Sequence, residues 1–113
     1  MDLRISSVDD AGRRVLTLAG SVDLGSRSLL TDAVSTAVAE AGVEQVVLDL
    51  SGVEFIDSTG LGAIVESSGK AEDTGRGFAL RNPSKRVGRI LELTGLDDQW
   101  PIERSADGES LSS

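Results

Sequence analysis

The sequence predicts an α/β fold: a single-domain mixed β-sheet in the order β-β-α-β-α-β-α-β, with helices packed on it. Three observations carry this. Two segments of alternating apolar and polar residues open the chain on either side of a turn. Short apolar, β-branched runs then alternate with stretches in which apolar residues recur every three or four positions. Strands that alternate with helices imply parallel crossovers, which follow the antiparallel opening pair. With 113 residues there is room for one domain and one core.

The opening pair is residues 3–8 and 13–19, joined by the turn-forming Asp9-Asp10-Ala11-Gly12. Leu30, Val34, Ala37, Val38 and Ala41 then repeat at helical spacing, and Gly42 offers a stop, which predicts a helix over 26–41. Val46-Val47-Leu48-Asp49-Leu50 is a short, nearly unbroken apolar run, as expected of a central strand covered on both faces. After a loop at 51–57, the pattern Leu61, Ile64, Val65, Ser68 and Ala71 predicts a second helix over 58–73, closed by Thr74-Gly75. Residues 77–81 form another buried strand. Asn82-Pro83-Ser84 supplies a cap and an early-helix proline for a helix carrying Val87, Ile90 and Leu91 and ending at Gly95. Trp100-Pro101-Ile102 is a last strand, at an edge or a strand start because Pro101 has no amide hydrogen. Residues 105–113 are polar and short, and a frayed tail is expected beyond a domain at 1–104.

Composition removes whole classes of chemistry. The chain has no cysteine and no histidine, so it can form no disulfide, no thiolate or imidazole metal site, and no Ser-His or Cys-His nucleophile pair. No metal or cofactor site and no enzymatic activity are expected. Eleven Lys and Arg against nineteen Asp and Glu give a formal charge of −8, which opposes nucleic acid and anionic membrane surfaces as partners. No apolar run approaches the roughly 18 residues of a membrane helix, and the first residues lack a basic region followed by an apolar one. A cytoplasmic location is the default.

Chemistry concentrates in Asp49-Leu50-Ser51-Gly52-Val53-Glu54-Phe55-Ile56-Asp57-Ser58-Thr59-Gly60-Leu61-Gly62, between the central strand and the second helix. Ligands of α/β sheets gather beyond the carboxyl ends of strands, where helix N-termini present free amides. Ser58 belongs at such a place. Asp57 or Ser58 can equally be a helix cap, with Gly60 and Gly62 serving close packing. A hydrolase elbow would need G-x-S-x-G, but position 56 is Ile, and no phosphate-binding G-x-x-x-x-G-K-[ST] occurs. A third reading makes Ser58 a substrate: a phosphate at a helix N-terminus is tolerated by the fold, yet adds about −1.5 to −2 charges to a docking surface.

The segment 49–62 resembles the signature of the STAS domain, and specifically of the bacterial anti-sigma factor antagonists. Gly20-Ser21-Val22-Asp23 is similar to the family's G-x-[IVL]-D, although Ser21 stands where an acid is frequent, and Leu93-Thr94-Gly95-Leu96 resembles the end of its third helix. The resemblance covers about residues 3–103 and implies a partner switch. An anti-sigma factor with serine-kinase activity would bind the unphosphorylated chain and release its sigma factor. It would then phosphorylate Ser58, and a phosphatase would restore the active form. Asp23, Asp57, Ser58, Thr59, Gly60, Leu61 and Gly62 would form the partner-binding surface. Many members carry a further helix after the last strand, where this sequence has a polar tail. The same fold also serves as a regulatory or structural subunit of transporters and other assemblies, which is the alternative.

Two features lie outside the resemblance. Arg81, Lys85, Arg86 and Arg89 make one basic cluster, either a solvated helix face or a docking surface for an acidic partner. Phe55, Phe78 and Trp100 are the aromatics, too few for a stacking platform and better suited to a core or an edge.

Overall fold

The computed structural model describes residues 2–104. Its elements are β1 (Leu3–Asp10), β2 (Arg13–Val22), α1 (Arg27–Ala39), β3 (Gln45–Ile56), α2 (Ser58–Asp73), β4 (Gly77–Arg81), α3 (Lys85–Thr94) and β5 (Ile102–Glu103), with a 3-10 turn at Leu96–Asp98. The strands lie in chain order, β1-β2-β3-β4-β5. The first pair is antiparallel and the others parallel. The expected tail at 105–113 lies outside the described residues.

The hairpin runs from Leu3↔Gly20 to Asp10↔Arg13 and closes on two residues, Ala11 at φ 52° and Gly12 at φ 88°. Two positive φ values in a two-residue loop match the twist of the flanking strands, which is why such turns favour glycine and asparagine.

A sheet built in chain order by right-handed crossovers must carry all its helices on one face. The burial pattern agrees. The large core joins Leu16, Leu18, Leu48, Leu50 and Leu80 of the sheet to residues of all three helices, among them Leu30, Val34, Ile64 and Leu91. Side chains alternate along a strand, so Val15, Val47 and Ala79 point the other way. They form a second small cluster that no helix residue joins.

The expectation of a central strand covered on both faces is therefore corrected in kind. Val47 is fully buried although no helix residue joins its cluster, and its face of the sheet carries a polar network. Arg13 Nε donates to Gln45 Oε1 at 2.8 Å, the Arg13 guanidinium pairs with Glu103, and Arg81 Nη2 reaches the same carboxylate at 3.3 Å. Arg13, Gln45 and Arg81 stand two residues from Val15, Val47 and Ala79, hence on the same face. The Arg13–Glu103 pair links β2 to β5 across the two strands between them. Long aliphatic stems with charged ends can shield apolar side chains in this way. The hydrogen bond from Arg13 holds the Glu103 carboxyl below its ordinary pKa, with Arg81 acting in the same sense.

Other boundaries shift for local reasons. β3 continues through the expected loop to Ile56, because Ser51 and Gly52 are accommodated where the β2 register slips between Thr17 and Ala19. A Cβ on Gly52 would lie 2.8 Å from the Leu18 carbonyl oxygen, so this position admits the neighbouring strand. α1 ends at Ala39, two residues early. Ser84 rather than Asn82 caps α3, accepting from Val87 N at 3.3 Å, which places Pro83 before the cap and outside the helix. Pro101 precedes β5 and pairs through its carbonyl, which accepts from Leu80 N at 3.0 Å. Trp100 meets Phe78 edge-on at 5.7 Å between ring centroids.

Candidate functional site

The carboxyl ends of β2, β3 and β4 lead directly into the N-termini of α1, α2 and α3, so three helix starts share one end of the sheet. Val22 pairs with Ile56, and the loops beginning at Asp23 and Asp57 leave from these adjacent strand ends. The Asp57 amide donates to the Val22 carbonyl at 3.4 Å, fastening one loop to the other.

Asp57 is the cap of α2. Its Oδ1 accepts from Gly60 N at 2.8 Å, and its carbonyl accepts from Leu61 N at 2.9 Å. Between the alternatives left open by the sequence, the capping role falls to Asp57. Ser58 is the first helical residue, exposed, and its hydroxyl makes no hydrogen bond among the described residues. The Ser58 and Thr59 amides are first-turn donors that a helix cannot satisfy internally.

Asp23 is also held by its own loop. Its Oδ1 accepts from Ser26 N at 3.2 Å, while Ser26 Oγ accepts from Asp23 N at 3.0 Å and donates to the Ser21 carbonyl at 2.8 Å. Asp23 and Asp57 thus each commit one carboxylate oxygen to shaping a helix entry, and both side chains remain partly exposed.

The two glycines differ. A Cβ on Gly60 would lie 2.0 Å from the Val22 carbonyl oxygen and 2.9 Å from Ile56 Cγ1, so Gly60 lets α2 start against the end of β2. A Cβ on Gly62 would meet nothing within 4 Å. Gly62 is exposed one turn beyond Ser58, and internal packing does not require a glycine there. Leu61 is half-buried against the core, while Phe55 at the end of β3 and Leu24 after Asp23 are exposed apolar side chains at the same end of the sheet. The arrangement leaves an exposed hydroxyl at a helix start, with exposed apolar side chains at the same end of the sheet. It provides no imidazole or thiol beside Ser58.

Residues 4–108 match the family model of the STAS domain. The chain is a STAS domain. It is 31% identical to the anti-sigma-B factor antagonist of Bacillus subtilis over 82% of this chain and 84% of that protein, which places it among the anti-sigma factor antagonists. An anti-sigma factor antagonist from Mycobacterium paratuberculosis, known from a crystal structure, is 30% identical with a TM-score of 0.74, covering 98% of this chain and 93% of that one. The Bacillus cell fate determinant SpoIIAA in its phosphorylated form shares the fold at a TM-score of 0.69 and 20% identity, covering 98% of this chain and 97% of that one. No helix among the described residues of this STAS domain is long and apolar enough to cross a membrane.

The STAS domain divides the basic cluster expected from sequence. Arg81 pairs with Glu103 on the open sheet face and does not line the cavity at the start of α3. Lys85, Arg86 and Arg89 remain together at the start of α3, and Arg104, which sequence spacing did not connect with them, lines the same cavity. The missing signal was tertiary: β5 ends beside the helix that begins some twenty residues earlier.

Proposed function

We propose that this STAS domain binds an anti-sigma factor that is also a serine kinase, so releasing a sigma factor, and that phosphorylation of Ser58 switches the binding off. The observation that carries the reading is the division of labour between Asp57 and Ser58. Because the Asp57 carboxylate already caps α2, the exposed Ser58 hydroxyl has no structural task and can be modified without loss of the cap. A phosphate there would meet the unpaired first-turn amides and the positive end of α2, so the fold should persist.

The switch is electrostatic. A phosphoryl group adds about −1.5 to −2 charges next to Asp57 and near Asp23. If the docked surface closed over it without a compensating cation, a charge would be buried unpaired. Moving a complex from 99:1 to 1:99 requires roughly 5.5 kcal/mol of differential affinity, within reach of one uncompensated phosphate in an interface. Thr59, Gly60, Leu61 and Gly62 complete the partner-binding surface. Gly62, with open space where a Cβ would be, supports close approach by another backbone. ATP is bound by the kinase, a phosphatase restores the hydroxyl, and this chain itself has no catalytic role in the cycle. The cytoplasm is the setting this reading requires.

The test is to incubate the protein with ATP and candidate ATP-binding anti-sigma kinases and to locate phosphate by intact and peptide mass. Transfer to Ser58, binding by Ser58→Ala that resists modification, and loss of binding in Ser58→Asp are expected. Transfer to Thr59 or Ser51 would move the acceptor. Undiminished kinase binding by Ser58→Asp and Ser58→Glu would refute the electrostatic switch, and no transfer from any such kinase would favour the transporter-subunit role.

A further inference from the structure

Seven of the eleven Lys and Arg residues make no ion pair among the described residues, the paired ones being Arg13, Arg14, Arg27 and Arg81. Four of these seven, Lys85, Arg86, Arg89 and Arg104, line a single cavity of about 540 Å³ at the start of α3. Glu92 is its one acidic lining residue.

This placement runs against the helix's own preferences. Lys85 and Arg86 occupy the first two positions of α3, whose first turn contains no acid. A helix N-terminus favours anions, so cations there cost stability. Lys85 and Arg89 stand one turn apart on the exposed side, where like charges repel. Gly88, which also lines the cavity, adds a further cost in mid-helix, and since a Cβ there would meet nothing within 4 Å, internal packing does not require the glycine. An anion seated among these side chains would relieve the repulsion and face the favourable end of the helix dipole.

The cavity is also fixed in position. Ser84 Oγ donates to the Val53 carbonyl at 3.2 Å, and Arg86 Nη1 lies 3.5 Å from the Glu54 carbonyl oxygen, so the start of α3 is fastened to the end of β3. No aromatic residue lines it, and a nucleobase would find no face to stack on. Its cations come from α3 and from the residue that follows β5, an arrangement that fits several carboxylates strung along a chain better than one compact phosphate.

We propose that this cavity docks an acidic polypeptide segment of a partner protein. Ser58 is not among the cavity's lining residues, and the chain's net charge of −8 would otherwise repel such a segment. The proposal stands independently of the phosphorylation cycle.

The probe is a fluorescein-labelled deca-glutamate peptide titrated into the full chain at low salt, read by anisotropy and by amide shifts. Binding should perturb the amides of α3 and Arg104. It should weaken by roughly tenfold or more in Lys85→Glu/Arg89→Glu, and it should fall steeply as salt rises. Arg4→Glu/Lys70→Glu makes the same change in net charge elsewhere and should stay within about twofold of wild type. Both substitutions in α3 are at exposed positions near a helix start that favours acids, so an unchanged or higher melting temperature is expected. Equal weakening by the two double variants would reduce the effect to net charge and overturn the proposal. Displacement of the peptide by equimolar inorganic phosphate, binding to phosphatidylserine vesicles but not to the peptide, or no binding at all would also overturn it.

Discussion

Replacing Gly60 and Gly62 by alanine, one at a time, should move stability in opposite directions although the two residues lie in the same helical turn. In an open helical position alanine is favoured over glycine by about 0.5–1 kcal/mol. Gly62 is such a position, so Gly62→Ala should stabilise by about that amount. At Gly60 the same gain is opposed by a contact of 2.0 Å with the Val22 carbonyl oxygen and 2.7 Å with its carbon. Both are backbone atoms, and reaching even the 3.0 Å floor of real Cβ contacts requires α2 and the end of β2 to separate by about 1 Å. That motion also strains the Asp57 N to Val22 O hydrogen bond. Overpacking of this kind costs about 1–3 kcal/mol, and taking the midpoints of cost and gain leaves a net loss of about 1 kcal/mol for Gly60→Ala. For a domain of this size each kcal/mol corresponds to about 4–8 °C in melting temperature. Urea unfolding followed by the single Trp100, with circular dichroism as a second probe, measures both effects. If Gly60→Ala proved as stable as wild type, the close approach of α2 to β2 would be wrong. In the partner assay Gly62→Ala should bind less well despite its higher stability, which separates docking from folding.

Asp57→Ala removes the cap of α2 and should cost about 0.5–2 kcal/mol in urea unfolding. Ser84→Ala should lose about 1 kcal/mol, since the hydroxyl both caps α3 and bonds to Val53. Ala11→Gly should stabilise by about 0.5–1 kcal/mol, because alanine is strained at φ 52°, and a hairpin that melted earlier would contradict this. The Glu103 carboxyl is held below its ordinary value of 4.5, so its stabilisation is fully present above that value and is lost as pH falls through the lower folded value. With the side chain about one-third exposed, solvent screening limits the contribution to roughly 1 kcal/mol or less, and Glu103→Gln should flatten the acid limb of the pH–stability curve by that amount.

Periodicity located most elements because each helix buries one stripe and each strand alternates, so the order of segments and the position of Ser58 at a helix start followed from the residues alone. The errors have physical causes. Ser51-Gly52 has turn chemistry, but a strand can carry it when a neighbour's register slips to meet it. An apolar run reports burial without saying what provides it, and the face that Val47 points to carries the polar network of Arg13, Gln45, Arg81 and Glu103 rather than helices. At the site, residue type identified Asp57 and Ser58 together, but only the Asp57 to Gly60 bond of 2.8 Å separates the cap from the free hydroxyl. The removal of Arg81 from the basic group, and the arrival of Arg104, depend on strand pairing between β4 and β5 that no local spacing encodes.

The chain-ordered sheet has a consequence for how the molecule assembles. Arg13 pairs with Gln45 and Gln45 with Gly77, each 32 positions along, and Leu80 pairs with Ile102 only 22 positions away. Every parallel strand pair therefore forms within one crossover, the closure entropy is similar at each of these three steps, and a nascent chain can extend the sheet in the order it is made. The Arg13–Glu103 pair, 90 positions apart, is the exception. It can form only when β5 is in place, so it acts as a clasp on a completed sheet, and Trp100 beside it in sequence is a natural optical reporter of that last event.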